Sequence, residues 1–156
     1  MVVGDGDNVQ YIQNSRSSWM KDRAGRCERG GGAANKTACF PLVWSIQANL
    51  LHMSPAWLRW FYATAKSTGA DWFSLPPSGD TYSYPSLIKS PVEKATFVSR
   101  TERDCTLLNT SGSVSWEIAG SWKAAIEEYY PMYVHKQHPT TLCPGTHSPK
   151  LQHHFT

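Results

Sequence analysis

Phe40-Pro41-Leu42-Val43-Trp44-Ser45-Ile46 is apolar almost without interruption. A strand written that way expects cover on both faces, as in parallel sheets flanked by helices. Two further runs share this character. Met1 to Gly4 is a short apolar run that ends in Asp5-Gly6-Asp7-Asn8, and Asp71-Trp72-Phe73-Ser74-Leu75 is another. Helical patterns separate them. Alternation of this kind argues an α/β fold, with strand-helix units building a parallel sheet. Only three or four strands are present, and the first has no lead-in. The set fits part of a larger barrel or a small open sheet.

The helices carry recognisable signals. Asp7 or Asn8 is placed to cap a first helix that continues through Val9, Ile12 and Gln13 toward Trp19-Met20. Lys21 to Ala38 is Gly-rich, polar and without period, which predicts a long loop. Ser54-Pro55 opens a helix with Ser54 as cap and proline in the first turn. Trp57, Leu58, Phe61, Tyr62 and Ala65 fall on one of its faces, and Gly69 ends it. Ser90-Pro91-Val92-Glu93 is a capping box. It predicts a helix to about Cys105, with Val92, Ala95, Val98 and Cys105 facing inward. Thr106 to Asn109 reads as a weak fourth strand, and Ser113 to Ile118 leans toward strand. Ser121 caps a last helix, Trp122 to Tyr130, stopped by Pro131. Residues 1–134 make the domain. Residues 135–156 have three prolines and no apolar period, which predicts a disordered tail.

Composition narrows the function. The 156 residues are 40% apolar and 17% charged, which suits one globular domain. A net charge of +3, with dispersed basic residues, gives no nucleic-acid footprint. No segment is long and apolar enough to span a membrane. No secretory leader precedes the first strand, and a strand with nothing before it reads as the middle of a larger domain. The compartment is left open. Cys27 and Cys39 flank a Gly-rich stretch and could bridge in an oxidising compartment. Cys105 reads as a buried free thiol. None of the four cysteines has metal-ligand spacing, and no phosphate-binding glycine fingerprint is present. Neither a metal nor a cofactor is expected. Asn35-Lys36-Thr37 and Asn109-Thr110-Ser111 match the N-glycosylation acceptor pattern.

Chemistry is expected at the strand ends. Asp5 and Asp7 stand at i and i+2 after a strand, with Gly6 permitting the turn between them and Asn8 beside them. Such a pair suits general acid and base work or coordination of a hard cation. An ordinary strand-to-helix turn with a capping aspartate is the plain alternative. Leu75-Pro76-Pro77-Ser78-Gly79-Asp80-Thr81-Tyr82-Ser83-Tyr84-Pro85 reads as a loop leaving the third strand. Tyr82 and Tyr84, two apart, would share a face. Asp80 belongs to the same loop. Trp44 lies late in its strand, and Trp116 and Glu117 lie in the later β-leaning run. Aromatic rings stack on the C–H faces of sugars while hydroxyls bond their rims. Glu117 is a candidate third carboxylate, with an exposed loop acid the favoured reading. Trp57, Trp60, Trp72 and Trp122 are expected in the core.

Three stretches together resemble one family, named for the motif G-x-G-Y-x-Y-P and described as putative glycoside hydrolases. They are Gly4 to Gln10, Phe40 to Ile46, and Asp71-Trp72-Phe73 through Pro76 to Pro85. The resemblance covers roughly residues 2 to 110. It implies a barrel-like (β/α) domain acting on carbohydrate, with Asp5, Asp7 and Asn8 at a strand end and Tyr82 and Tyr84 lining the cleft. Thr81 stands where the family has its second glycine, so a turn needing positive φ would be strained there. Asp5, Asp7 and Glu117 are then the catalytic candidates. Asn8, Trp44, Asp80, Tyr82 and Tyr84 are the substrate-binding ones. Hydrolysis needs two carboxyl groups about 5 Å apart for retention or about 6.5–9.5 Å for inversion. The alternatives are a non-catalytic carbohydrate-binding protein and a cation-dependent hydrolase using the aspartate pair.

Overall fold

The computed structural model describes residues 1–4, 6, 9–110, 112–113, 117–118, 120–129 and 131–134, with the side chains of 9, 133 and 134 left aside. The expected tail, 135–156, lies outside them. Three strands, β1 (Val2–Val3), β2 (Leu42–Ser45) and β3 (Asp71–Ser74), form a parallel sheet in the order β1-β2-β3. Sequence neighbours are therefore sheet neighbours. Beyond β3, Leu75 makes a parallel bridge to Ser113, and its N–H donates to the Gly112 carbonyl at 2.7 Å.

Register divides the sheet into two faces. Val3, Trp44 and Phe73 stand side by side, as do Val2, Val43 and Trp72. The first row faces the helices. Leu42, Trp44, Ile46, Phe73 and Leu75 pack there with Leu58, Phe61 and Ala65, and with Ile12, Met20, Cys105 and Leu108. Full burial of a side chain such as Leu58 or Phe61 contributes about 1.5–3 kcal/mol. The second row is open at its amino end, with Val2 55% and Trp72 49% exposed. Trp72 is thus not a core residue. Trp60 and Trp122 are exposed as well, and Trp57 is only partly buried against the core.

The first helical stretch runs without a break through α1 (Val9–Tyr11), a wide π turn (Ile12–Arg16) and α2 (Ser17–Arg29). The loop expected over Lys21 to Ala38 is therefore largely helix. Met20, Arg23 and Cys27 form its buried stripe. Arg23 Nε binds Asp71 Oδ1 of β3 at 2.7 Å, and Cys27 is bonded to Cys39. The disulfide is the bridge that the two cysteines suggest, whereas Asp71 is too far along the chain to mark Arg23 as buried, so the stripe looks aperiodic in sequence. After α3 (Leu50–Met53), α4 (Pro55–Thr68) starts on Pro55, although the Ser54 side chain makes no capping bond. Gly69 ends it in the left-handed region at φ 62°.

The capping box forms: Ser90 Oγ accepts from the Glu93 N–H at 3.3 Å, opening α5 (Pro91–Leu108). The helix continues three residues past Cys105, so the weak strand at Thr106 to Asn109 is not one. Asn109 closes it at φ 47°, a conformation asparagine tolerates. Val98 and Cys105 face inward as expected, whereas Val92 and Ala95 are exposed. Cys105 is not a free thiol: it is disulfide-bonded, to a partner outside the described residues. The chain then passes through α6 (Trp122–Ala124), a second π turn (Ala125–Tyr129) and α7 (Pro131–Val134). Ser121 precedes α6 without a capping bond. Pro131 opens the last helix rather than stopping the one before it.

Candidate functional site at the strand ends

The loop from Leu75 to Pro85 leaves the carboxyl end of β3 and is held unusually well for a loop. Residues 75 to 79 are all buried. The Gly79 N–H donates to the Pro76 carbonyl at 2.8 Å, and Ser78 Oγ donates to the Ser83 carbonyl at 2.8 Å. Ser113 Oγ binds the Pro76 carbonyl at 3.1 Å. Gly79 takes φ 130°, and a Cβ there would collide with Thr101 of α5. Only glycine fits both constraints. Asn109 is the one non-glycine residue with positive φ among those described, so Thr81 carries no such strain.

Past Gly79 the loop is tied to α5. The Asp80 N–H donates to Thr101 Oγ1 at 3.0 Å. The Asp80 carboxylate faces Arg100 and Arg103, each at 3.9 Å. Beside it, Asp104 of α5 is buried at 2% exposure. Burial, and then the Asp80 carboxyl, push the Asp104 pKa up, while the Arg103 guanidinium pulls it down, with a net upward shift. Arg103 reaches Asp104 Oδ1 through Nε at 3.0 Å and Nη2 at 2.8 Å.

Tyr82 and Tyr84 meet as the spacing predicts. Their rings are edge to face with centroids 5.8 Å apart, and their hydroxyls lie 3.2 Å apart. Tyr82 is exposed and Tyr84 half-buried. A short 3-10 turn, Pro85–Leu87, follows. Ser86 in that turn donates from N–H, at 3.2 Å, and from Oγ to the Glu117 carboxylate, which also accepts from Ser121 Oγ at 3.1 Å. Glu117 is 7% exposed. It is not an exposed loop acid. It braces the exit of the tyrosine loop against the segment that leads into α6.

At the ends of β1 and β2, Gly6 is buried, and its N–H donates to Ser45 Oγ at 2.8 Å. That hydroxyl donates in turn to the Val3 carbonyl at 3.0 Å. A Cβ on Gly6 would collide with the Ser45 carbonyl, so the turn needs glycine to approach β2 this closely. Asp5, Asp7 and Asn8, with Trp116, lie outside the described residues. Sequence reading missed Arg16. It is 3% exposed, donates to the carbonyls of Gly4 and Ser45, and lies 6.0 Å from the Trp44 ring centroid. A guanidinium held in a low-dielectric position at the strand ends favours a negative group beside it. Trp44 is 3% exposed and packs with the helix-side core. Its ring lies under the site rather than on its surface.

Asp104 was also invisible, because a single acid in an amphipathic helix reads as a solvated residue. Its signal was the arginines at 100 and 103 on the same helical side, facing the loop aspartate.

Comparison with known proteins bears on the fold and the family. A crystal structure of a putative hydrolase from Bacteroides thetaiotaomicron superposes with a TM-score of 0.54 and 24% identity. The match takes in 70% of this chain and 19% of that one, so it concerns the fold of under a fifth of the larger protein. No curated protein matches significantly. The family model described as "GxGYxYP putative glycoside hydrolase C-terminal domain" matches residues 1–142, and this chain belongs to that family.

Proposed function

We propose that the chain is part of a (β/α) barrel-like glycoside hydrolase domain acting on carbohydrate. The observation that carries this reading is the tyrosine pair. Two phenols with their hydroxyls 3.2 Å apart stand on a braced loop at the carboxyl end of a parallel strand. Ligands of α/β folds sit at that end. An exposed ring beside two hydroxyls suits a sugar, whose C–H face stacks while its rim hydrogen-bonds. Sequential strand order without a switch is the order a barrel requires. Family membership and a hydrolase of like fold favour the same reading.

In this reading Tyr82 and Tyr84 hold the sugar, and Asp80 sets their loop. Asp5 and Asp7, flanking the Gly6 turn, supply the carboxyl groups of catalysis, and Asn8 binds beside them. Trp44 supports the strand ends from beneath. Glu117 is occupied by three donors, which favours a bracing part over a catalytic one.

Reducing-sugar release and glycan binding across a polysaccharide panel test the proposal. Asp7→Asn is expected to abolish release and leave binding within about twofold. Tyr82→Ala is expected to weaken binding by about tenfold, a loss of about 1.4 kcal/mol. Neither release nor binding by a folded protein would overturn the reading. Binding that survives both aspartate-to-asparagine changes, with no release from the wild type, would leave a non-catalytic carbohydrate-binding protein.

A further inference from the structure

N-glycosylation joins the side-chain amide nitrogen of an asparagine to a sugar. It requires a hydroxyl residue two places on, a surface loop and an oxidising secretory route. Asn35-Lys36-Thr37 meets the first requirement in sequence. We propose that Asn35 is an N-glycan acceptor, modified at Nδ2, with the glycan standing on the sheet rim opposite the tyrosine loop.

The local geometry presents the reacting atom. Asn35 follows a 3-10 turn, Gly32–Ala34, in the connection from α2 to β2, and residues 33–37 are all exposed. Its side-chain oxygen is occupied. Oδ1 accepts from the Thr37 N–H at 3.1 Å and from the Ala38 N–H at 3.3 Å. Nδ2 is the other end of the same amide, and among the described residues nothing accepts from it. The Thr37 hydroxyl is likewise open to solvent and has no partner among them. No bond that shapes the loop passes through Nδ2. The Asn35 N–H donates to the Gly32 carbonyl at 3.1 Å, the Asn35 carbonyl accepts from the Cys39 N–H at 2.8 Å, and Cys39 is bonded to Cys27. A sugar on Nδ2 therefore leaves the loop as it is.

The disulfides are an independent observation. Among the described residues every cysteine is oxidised, and such bonds persist in the secretory route where glycans are attached. Placement also suits a glycan. The connection reaches β2 at its amino end, and Ala33 lies beside Gly69, just before β3. The tyrosine loop leaves the carboxyl end, which in a parallel sheet is the other rim. The second acceptor pattern, Asn109-Thr110-Ser111, has no comparable support: Asn109 is fixed as the left-handed close of α5, and Ser111 lies outside the described residues. In the transfer, Nδ2 attacks the anomeric carbon of an oligosaccharide carried on a polyprenyl pyrophosphate. The N–C bond forms, the bond from that carbon to the pyrophosphate oxygen breaks, the lipid pyrophosphate leaves and the amide gives up one proton. None of this depends on the chain acting on carbohydrate itself.

The test is expression of the 156-residue chain behind a cleavable leader in a eukaryotic secretory host. The disulfide-bonded product, secreted or retained, is mapped by peptide mass before and after peptide N-glycosidase, which leaves an aspartate where a glycosylated asparagine stood. The wild type is expected to lose a gel shift on treatment and to show that mark at Asn35. Thr37→Ala keeps both bonds to Oδ1, since their donors are backbone N–H groups, and is expected to lose the glycan there. Thr37→Ser is expected to keep it, and Asn35→Gln to match Thr37→Ala. An unmodified Asn35 in the oxidised wild type, or a glycan retained at Asn35 in Thr37→Ala, would overturn the proposal.

Discussion

Gly79 and Thr101 are so close that a Cβ on the glycine would come within 2.6 Å of the threonine Cγ2 and collide with Oγ1. This contact fixes the depth at which the tyrosine loop lies on α5. Gly79→Ala meets two penalties, a left-handed φ costing about 1–3 kcal/mol and an overpacked contact of similar size. The expected result is a thermal midpoint lowered by several degrees, at about 2–4 °C per kcal/mol for a chain of this length. Adding Thr101→Ser to that variant removes Cγ2 and is expected to recover part of the loss.

Glu117 accepts from the Ser86 N–H, Ser86 Oγ and Ser121 Oγ in a nearly dry position. Glu117→Ala strands the two Ser86 donors, whereas Ser121 Oγ keeps the Ile118 carbonyl at 2.8 Å. Each buried unsatisfied group costs about 1–3 kcal/mol, so urea unfolding is expected to show a loss of about 3 kcal/mol of stability. Glu117→Gln keeps the shape and is expected to lose less. Ser121→Ala removes a hydroxyl shared between Glu117 and the Ile118 carbonyl and is expected to cost about 1 kcal/mol.

The Cys27–Cys39 disulfide closes a loop with a sequence separation of 12 between the end of α2 and the approach to β2. By loop entropy it contributes about 3 kcal/mol. Cys27→Ser with Cys39→Ser is expected to lower the unfolding midpoint accordingly. A reducing agent is expected to lower it further, because Cys105 is oxidised too.

Tyr62 of α4 is partly buried against the core, and its hydroxyl donates to the Leu108 carbonyl of α5. Burial pushes its phenol pKa up. The folded chain thus keeps a proton that the unfolded chain releases. The resulting stability is complete below the unfolded value of about 10 and is lost as pH rises above it. Alkaline melts of the wild type are expected to decline more steeply than those of Tyr62→Phe. At neutral pH Tyr62→Phe is expected to cost about 1 kcal/mol through the lost hydrogen bond.

What can be read from sequence divides by the range of the interaction. The strands are legible because their apolar runs are local, and the capping box because Ser90 and Glu93 are three residues apart. The continuation of α2 is not, since its buried face includes Arg23, whose partner Asp71 is 48 residues away. Strand parity is ambiguous for the same reason. In an apolar run either face can be the inner one, so sequence puts Trp44 and Trp72 in surroundings opposite to those they occupy. At the site, two tyrosines at i and i+2 announce their own contact. Asp80 and Glu117 draw their roles from partners on distant segments, Thr101 and Ser86, and no spacing rule reports those.

The row Val2, Val43 and Trp72 lies on the sheet face opposite Val3, Trp44 and Phe73, with Val2 and Trp72 exposed. A greasy surface of this kind in water tends to find a mate. Self-association through this face is therefore expected, with a particle size that grows with concentration in light scattering. Trp72, at its edge, is the natural fluorescence reporter for whatever covers it.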